Sequence, residues 1–293
     1  MERNLETKAF ILKDKEKFER IRKKYEYNTA AYSFISFYIW RDTLKFSLYM
    51  KDDIYSVLCG SFGENTWSFP CGGHSEKKAF ISKMLKSNDF EMVYLRQEDK
   101  DFLENNFPNM FHVEENIDCN EYIYDRLAWE ELKGSKYGAM RNHIRRAVRD
   151  NELRVEQITP ENVNEVYEII ESWDSYNGNL GSLGDSDKTA TTQLILNYEE
   201  LQERGILVYV NGEPCAVVAG FSISDNMFDM CLAKQKRNIP GLSVYSKYMF
   251  VTSLPENYKI INAEDDLGIE GLREMKKQMQ PIGQIKSFIA KRI

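Results

Sequence analysis

The sequence has little cysteine, histidine or proline, and no long apolar run. Its five cysteines, Cys59, Cys71, Cys119, Cys215 and Cys231, are scattered, form no Cys-x-x-Cys pair and are odd in number. That excludes a disulfide framework and fits reduced thiols. Cys231 sits in the apolar run Met227-Phe228-Asp229-Met230-Cys231-Leu232, the setting of a buried structural thiol rather than a nucleophile. The three histidines, His74, His112 and His143, lie far apart with no second ligand at metal spacing, so no zinc centre is expected. No stretch approaches the roughly 18 apolar residues needed to cross a bilayer. The charged start Met1-Glu2-Arg3-Asn4-Leu5-Glu6 lacks the apolar core of a secretory signal, and a cytoplasmic location is expected. Positive charge is also short. With 39 Lys and Arg against 46 Asp and Glu, the net charge of −7 argues against a surface that binds nucleic acid or anionic lipid over its whole extent.

What is present is the composition of a globular protein, 42% apolar and 13% aromatic, in 293 residues, a length that favours two domains over one. One segment breaks the acidic trend. From Lys133 to Arg149 the chain has Lys133, Lys136, Arg141, Arg145, Arg146 and Arg149 and no acid. Read as a helix, Tyr137, Met140, Ile144, Ala147 and Val148 form its apolar stripe, and Arg141, Arg145 and Arg149 stack beside it. This ridge reads either as a solvated face paired with neighbouring acids or as an element that contacts phosphates, for which the guanidinium fork is suited.

Punctuation divides the rest. Helices are predicted around Lys15–Tyr25 and Ala30–Arg41, then strands at Thr43–Met50, Ile54–Cys59 and Thr66–Phe69. Pro70-Cys71-Gly72-Gly73 breaks the chain before a helix at Ser75–Lys86, a strand at Glu91–Arg96, a helix at Glu98–Asn105 and strands at Phe111–Glu115 and Glu121–Tyr124. The second half runs through helices at Glu161–Trp173 and Ser186–Arg204 to a three-strand meander over Ile206–Val210, Pro214–Ile223 and Met227–Lys234. Asn211-Gly212 supplies the positive φ angles of a type I′ turn in its hairpin. A helix at Leu242–Leu254, a strand at Lys259–Ala263, a helix at Ile269–Met279 and a strand at Gln284–Ala290 complete it. The halves have similar order, which suggests duplication, although no residue-level repeat is visible.

A meander followed by strand, helix and strand resembles the acetyltransferase (GNAT) fold, and two in tandem resemble the Fem-type aminoacyl transferases. The strings Tyr122-Ile123-Tyr124-Asp125, Leu132-Lys133-Gly134-Ser135-Lys136-Tyr137, Arg141-Asn142-His143 and Asn262-Ala263-Glu264-Asp265-Asp266-Leu267-Gly268-Ile269-Glu270-Gly271-Leu272-Arg273 are similar to the family related to the C-terminal domain of phosphatidylglycerol lysyltransferases. The likeness spans almost the whole chain. It implies a mixed-sheet α/β protein of two tandem GNAT-like domains, residues 1–132 and 133–293, with a basic linker helix at 133–150.

In such a fold the donor is expected at the loop Gln235-Lys236-Arg237-Asn238-Ile239-Pro240-Gly241-Leu242-Ser243 and the helix that follows it. Coenzyme A enzymes of this fold show Gln or Arg, two residues, Gly, one residue, then Gly or Ala. Here the aligned string starts at Asn238, and Pro240 removes an N–H donor, which favours an aminoacyl-tRNA donor with phosphates along the basic ridge. The candidate donor-binding residues are Lys136, Arg141, Asn142, Arg145, Arg146, Lys234, Arg237, Gly241 and Arg273. Glu264, Asp265 and Asp266, at a strand end before a helix, are the candidate catalytic acids, since adjacent carboxylates raise one another's proton affinity. The same acids also read as a helix cap with solvated neighbours. Lys234 reads as a phosphate contact or a solvated strand end, Arg273 as a salt-bridge partner of the acids or a donor contact. The Gly- and Ser-rich stretch Asp174–Asp187, with Trp173 and Tyr176, reads as a lid or a plain loop.

The expected activity is transfer of an acyl or aminoacyl group, by direct attack on a bound ester, to an amine or hydroxyl of a small molecule or lipid headgroup. The alternatives are an acyl-CoA-dependent N-acyltransferase and a non-catalytic binding module on the same fold.

Overall fold

The computed structural model describes residues 5–63, 65–86, 90–177, 182–236 and 239–293, with the side chains of 174–177 and 182–186 outside that description. In chain order the first part holds α1 (Lys15–Lys24), α2 (Phe34–Trp40), β1 (Phe46–Lys51), β2 (Ile54–Cys59), β3 (Thr66–Ser68), α3 (His74–Met84), β4 (Glu91–Leu95), α4 (Gln97–Asn106) and β5 (Phe111–Glu115). There follow β6 (Glu121–Asp125), α5 (Arg126–Glu131), α6 (Gly138–Asp150), β7 (Leu153–Gln157), α7 (Val163–Asn177), α8 (Ser182–Leu196) and α9 (Tyr198–Leu201). The chain ends with β8 (Arg204–Val210), β9 (Glu213–Gly220), β10 (Met227–Asp229), β11 (Leu232–Gln235), α10 (Leu242–Ser253), β12 (Ile260–Asn262), α11 (Glu270–Gln278), β13 (Gly283–Ile285) and β14 (Phe288–Arg292). The class is mixed α/β, as expected.

Contacts divide the chain into two compact units, one of Met1–Glu121, Asp265–Gly268 and Ile285–Ile293, the other of Tyr122–Glu264 and Ile269–Gln284. The first is built on a six-stranded sheet of order β1-β2-β3-β4-β14-β5. Its final member is a departure from the sequence reading. The last strand, read as the close of the second half, lies antiparallel between β4 and β5, with Phe288 opposite both Leu95 and Glu115. An aromatic cluster packs this unit, in which Phe18 stacks on Tyr55 at 3.8 Å between ring centroids and meets Phe34 edge-on at 5.6 Å.

In the second unit β7, β8, β9 and β11 form an antiparallel sheet of order β11-β9-β8-β7. The β8–β9 turn is the one the sequence demanded: Asn211 and Gly212 stand at φ +52° and +87°. The strand read as Met227–Lys234 is in fact two. β10 runs parallel to β12 in a second sheet while β11 pairs with β9, and the break falls at Met230-Cys231. Gly220 permits the bend, because a Cβ on it would stand 1.7 Å from the carbonyl oxygen of Asp229. Stretch 174–187, read as a loop, is largely helical: α7 continues to Asn177 and α8 begins at Ser182. Helix pairing outweighs the roughly 1 kcal/mol that a glycine costs inside a helix. Gly178 and Gly181 lie outside the described residues, as does the side chain of Tyr176.

The core of this unit gathers Tyr122, Tyr124, Trp129, Phe228, Leu242, Phe250, Val251 and Ile261 around α10. Two buried aromatics also spend their polar atoms on the end of α11. Tyr124 donates to the Lys276 carbonyl at 2.9 Å and Trp129 Nε1 to that of Met279 at 3.2 Å. Their rings gain apolar burial without an orphaned donor.

Candidate functional site

The basic segment begins with a turn. Asp125 caps α5 by accepting the Ala128 N–H at 2.7 Å, and α5 ends at Leu132 and Gly134, both at positive φ. α6 starts at Gly138, so Lys133 and Lys136 precede it. Met140 and Ala147 are its buried side chains, which leaves the ridge toward solvent. The ridge is not uniform. Arg141 turns back to donate to the carbonyls of Leu132 and, at 2.7 Å, of Gly134, so its guanidinium holds the preceding turn. Arg149 is bound to Asp150 at 2.6 Å, and Arg146 lies 3.9 Å from the same carboxylate. Asn142 and Arg145 are exposed, Lys136 lies over the Tyr137 ring, and Arg145 has no ion-pair partner among the described residues.

Gly241 caps α10 at φ +84°, and a Cβ there would stand 2.1 Å from the His143 carbonyl oxygen of α6. The glycine that was read as part of a donor loop therefore serves the close approach of two backbones. Arg237 and Asn238 of that loop lie outside the described residues.

Lys234 is neither solvated nor open. It is 5% exposed, ion-paired with Asp187 of α8 and placed 3.4 Å above the Trp173 ring. The acids are split between the two units, Glu264 in the second and Asp265 with Asp266 in the first. Glu264 has φ +57° and its N–H donates to Asn262 Oδ1 at 2.8 Å. Asp266 is buried, and its Oδ1 accepts the Gly268 N–H at 3.0 Å, two residues on. It shapes the turn before α11 and does not cap the helix, whose N-cap is Ile269. Arg273 is half-buried on α11. Cys119 is pushed up to about 12, first by burial and then by the charge of Asp265. Cys231 is raised well above its ordinary value by burial and by Asp229, so it remains a thiol.

Reading the sequence missed the most chemically unusual group. Lys247, in the middle of α10, is 4% exposed. Helical side chains lean toward the N-terminus, which brings its Nζ to 2.8 Å from Ser243 Oγ, one turn upstream, and to 3.9 Å from Met275 Sδ of α11. Burial lowers it to about 8, and the charge of Lys276 adds to that. Lys276, itself buried, donates to the Ala263 carbonyl and lies 5.7 Å from the Tyr122 ring centre. A lysine half-neutral near pH 8 beside a hydroxyl is a base, and groups so perturbed concentrate at functional sites. The signal was legible as one lysine inside Leu242-Ser243-Val244-Tyr245-Ser246-Lys247-Tyr248-Met249-Phe250-Val251, with no acid on its helix to pair with it.

Residues 22–291 match the family of the phosphatidylglycerol lysyltransferase C-terminal domain, and the chain belongs to that family. No curated protein matches it. A conserved protein of unknown function from Bacteroides thetaiotaomicron is 26% identical with a TM-score of 0.91, over 99% of this chain and 100% of that one. A domain described as the C-terminal part of a lysylphosphatidylglycerol synthetase from Agrobacterium fabrum shares the fold at 13% identity, with a TM-score of 0.66 over 95% of this chain and 91% of that one. L-PGS from Bacillus licheniformis does so at 15% identity and 0.65, over 94% and 91%. The protein is thus a member of the lysyltransferase C-terminal-domain family, with a mixed α/β fold. No described helix is long and apolar enough to cross a membrane.

Proposed function

We propose that this protein transfers an aminoacyl group from aminoacyl-tRNA to an amine or hydroxyl acceptor, a small molecule or a lipid headgroup. The observation that carries the reading is the pairing of exposed cations, Lys136 just before α6 and Arg145 and Arg146 on it, with a donor loop whose Gly241 is closed against His143. A tRNA backbone is held by cations that neutralise successive phosphates. A coenzyme A diphosphate needs free backbone N–H groups, and Pro240 has none to offer. The names of the relatives favour a lipid-headgroup acceptor.

Lys136, Asn142, Arg145 and Arg146 are assigned to donor phosphates, and Arg141 to the turn that presents them.

Thermal stabilisation tests this. A bulk aminoacyl-tRNA pool should raise the melting temperature of the wild type and not that of Arg145→Glu/Arg146→Glu, whereas acetyl-CoA should leave both unchanged. Stabilisation by acetyl-CoA that ignores the charge reversal would replace this reading with an N-acyltransferase. Silence from both ligands would favour a binding module.

A further inference from the structure

We propose that Ser243 and Lys247 form a nucleophile and base pair on α10, and that the transferred group passes through an ester on Ser243 Oγ. The geometry is that of an activated hydroxyl. Ser243 is half-buried in the first turn of the helix, and Lys247, whose amine lies 2.8 Å from its Oγ, is buried. Among the described residues Lys247 has no carboxylate partner. Its polar neighbours are Ser243 Oγ and Met275 Sδ, and the charged group acting on it is Lys276 of α11. A buried lysine held by a counter-ion stays an ammonium; one held by a hydroxyl, a thioether and a like charge sheds its proton and can take another. Ser246, on the same helix, points its hydroxyl to the Ser243 carbonyl at 3.3 Å and is not aligned with the amine.

In the step this permits, Ser243 Oγ bonds to the carbonyl carbon of the donor ester while its proton moves to Lys247 Nζ. The bond to the leaving oxygen breaks, and that oxygen takes the proton back from Lys247. The acceptor amine or hydroxyl then attacks the Ser243 ester, gives its proton to Lys247, and Lys247 returns it to Ser243 Oγ. Nothing is oxidised or reduced, and the pair ends as it began. The donor's identity rests on the transferase reading; the reactivity of Ser243 does not. This two-step route replaces the direct attack expected from the sequence.

A fluorophosphonate probe, which phosphonylates activated serines whatever their substrate, separates the two. The full-length protein should take up one adduct, located by tandem mass spectrometry within the tryptic peptide 238–247 at Ser243 and not Ser246. Ser243→Ala should abolish it. Lys247→Met should slow it by about a hundredfold, with folding checked by circular dichroism. The labelling rate should rise with pH to a midpoint near 8. Lys276→Met should move that midpoint upward, a shift that a merely structural lysine would not produce. Labelling elsewhere, labelling that survives Ser243→Ala, or no labelling of folded protein at pH 9 overturns the proposal. Each of these leaves the tRNA stabilisation result untouched, so failure of the pair is distinguishable from failure of the transferase reading.

Discussion

Gly241 stands with its α-carbon against the carbonyl oxygen of His143, so close that a methyl group on it would lie 2.1 Å from that oxygen. α10 and α6 can meet at this point only through a residue without a side chain. Gly241→Ala must therefore separate the helices as well as hold an L-residue at φ +84°. Gly212 offers the control, with φ +87° and nothing within 4 Å of the added Cβ. Gly212→Ala should cost about 1–2 kcal/mol, the price of the left-handed backbone alone. Gly241→Ala should cost clearly more, and urea unfolding of the two variants side by side measures the contact by difference.

Lys247 makes stability rise with pH. Its folded value is about 8 against an ordinary 10.5, so between those values the unfolded chain binds the extra proton. Stability from this group therefore rises with pH across that window, and below about pH 8 the buried ammonium destabilises in full. Lys247→Met should be the more stable protein at pH 7, by up to about 3 kcal/mol. The advantage should shrink toward zero as pH approaches 10. Unfolding of both proteins from pH 6 to 10 checks this, because the many tyrosines and thiols titrate alike in the two and cancel.

The arginines of α6 should separate into two kinds. Arg141→Ala removes the donor to the carbonyls of Leu132 and Gly134 and should lower stability by about 1–2 kcal/mol. Arg145→Ala touches nothing the fold needs and should leave stability within about 0.5 kcal/mol of wild type. It should instead reduce the slope of log affinity for tRNA against log salt by about one. Filter-binding titrations at several salt concentrations, paired with thermal melts, resolve the two roles.

What the sequence made legible was set by local rules. The Asn211-Gly212 turn, the apolar stripe of α6 apart from Val148, which is 56% exposed, and the long strings around Tyr122 and Asn262 depend on backbone angles, helical spacing or family likeness, each written within a few residues. The route of β14 into the first unit's sheet was not legible, because a strand's partners are chosen by chain topology and not by its own residues. Lys234 read as a phosphate contact or a solvated strand end for a similar reason: only the fold brings Asp187 and Trp173, from two different helices, over it. Lys247 was hidden by the habit of placing lysines at the surface, although its apolar helix was in plain view. The triplet of acids looked like one site because its members are adjacent, yet adjacency in an irregular loop fixes no common direction, and Asp266 spends its carboxylate on the turn.

Lys234 offers the last separation between a strut and a ligand contact. Its side chain is 5% exposed and bound to Asp187, whose side chain is 35% exposed, with the Trp173 face 3.4 Å from the charge. Removing one member of a buried pair leaves the other charge behind, but the exposure of Asp187 lets water screen it. Lys234→Met should therefore cost only about 1–2 kcal/mol, and Asp187→Asn on that background should restore part of the loss. A double-mutant cycle by urea unfolding gives the coupling directly. If Lys234 instead held a donor phosphate, Lys234→Met would weaken tRNA binding at unchanged stability, because a ligand contact is absent from the unliganded fold and cannot contribute to its unfolding.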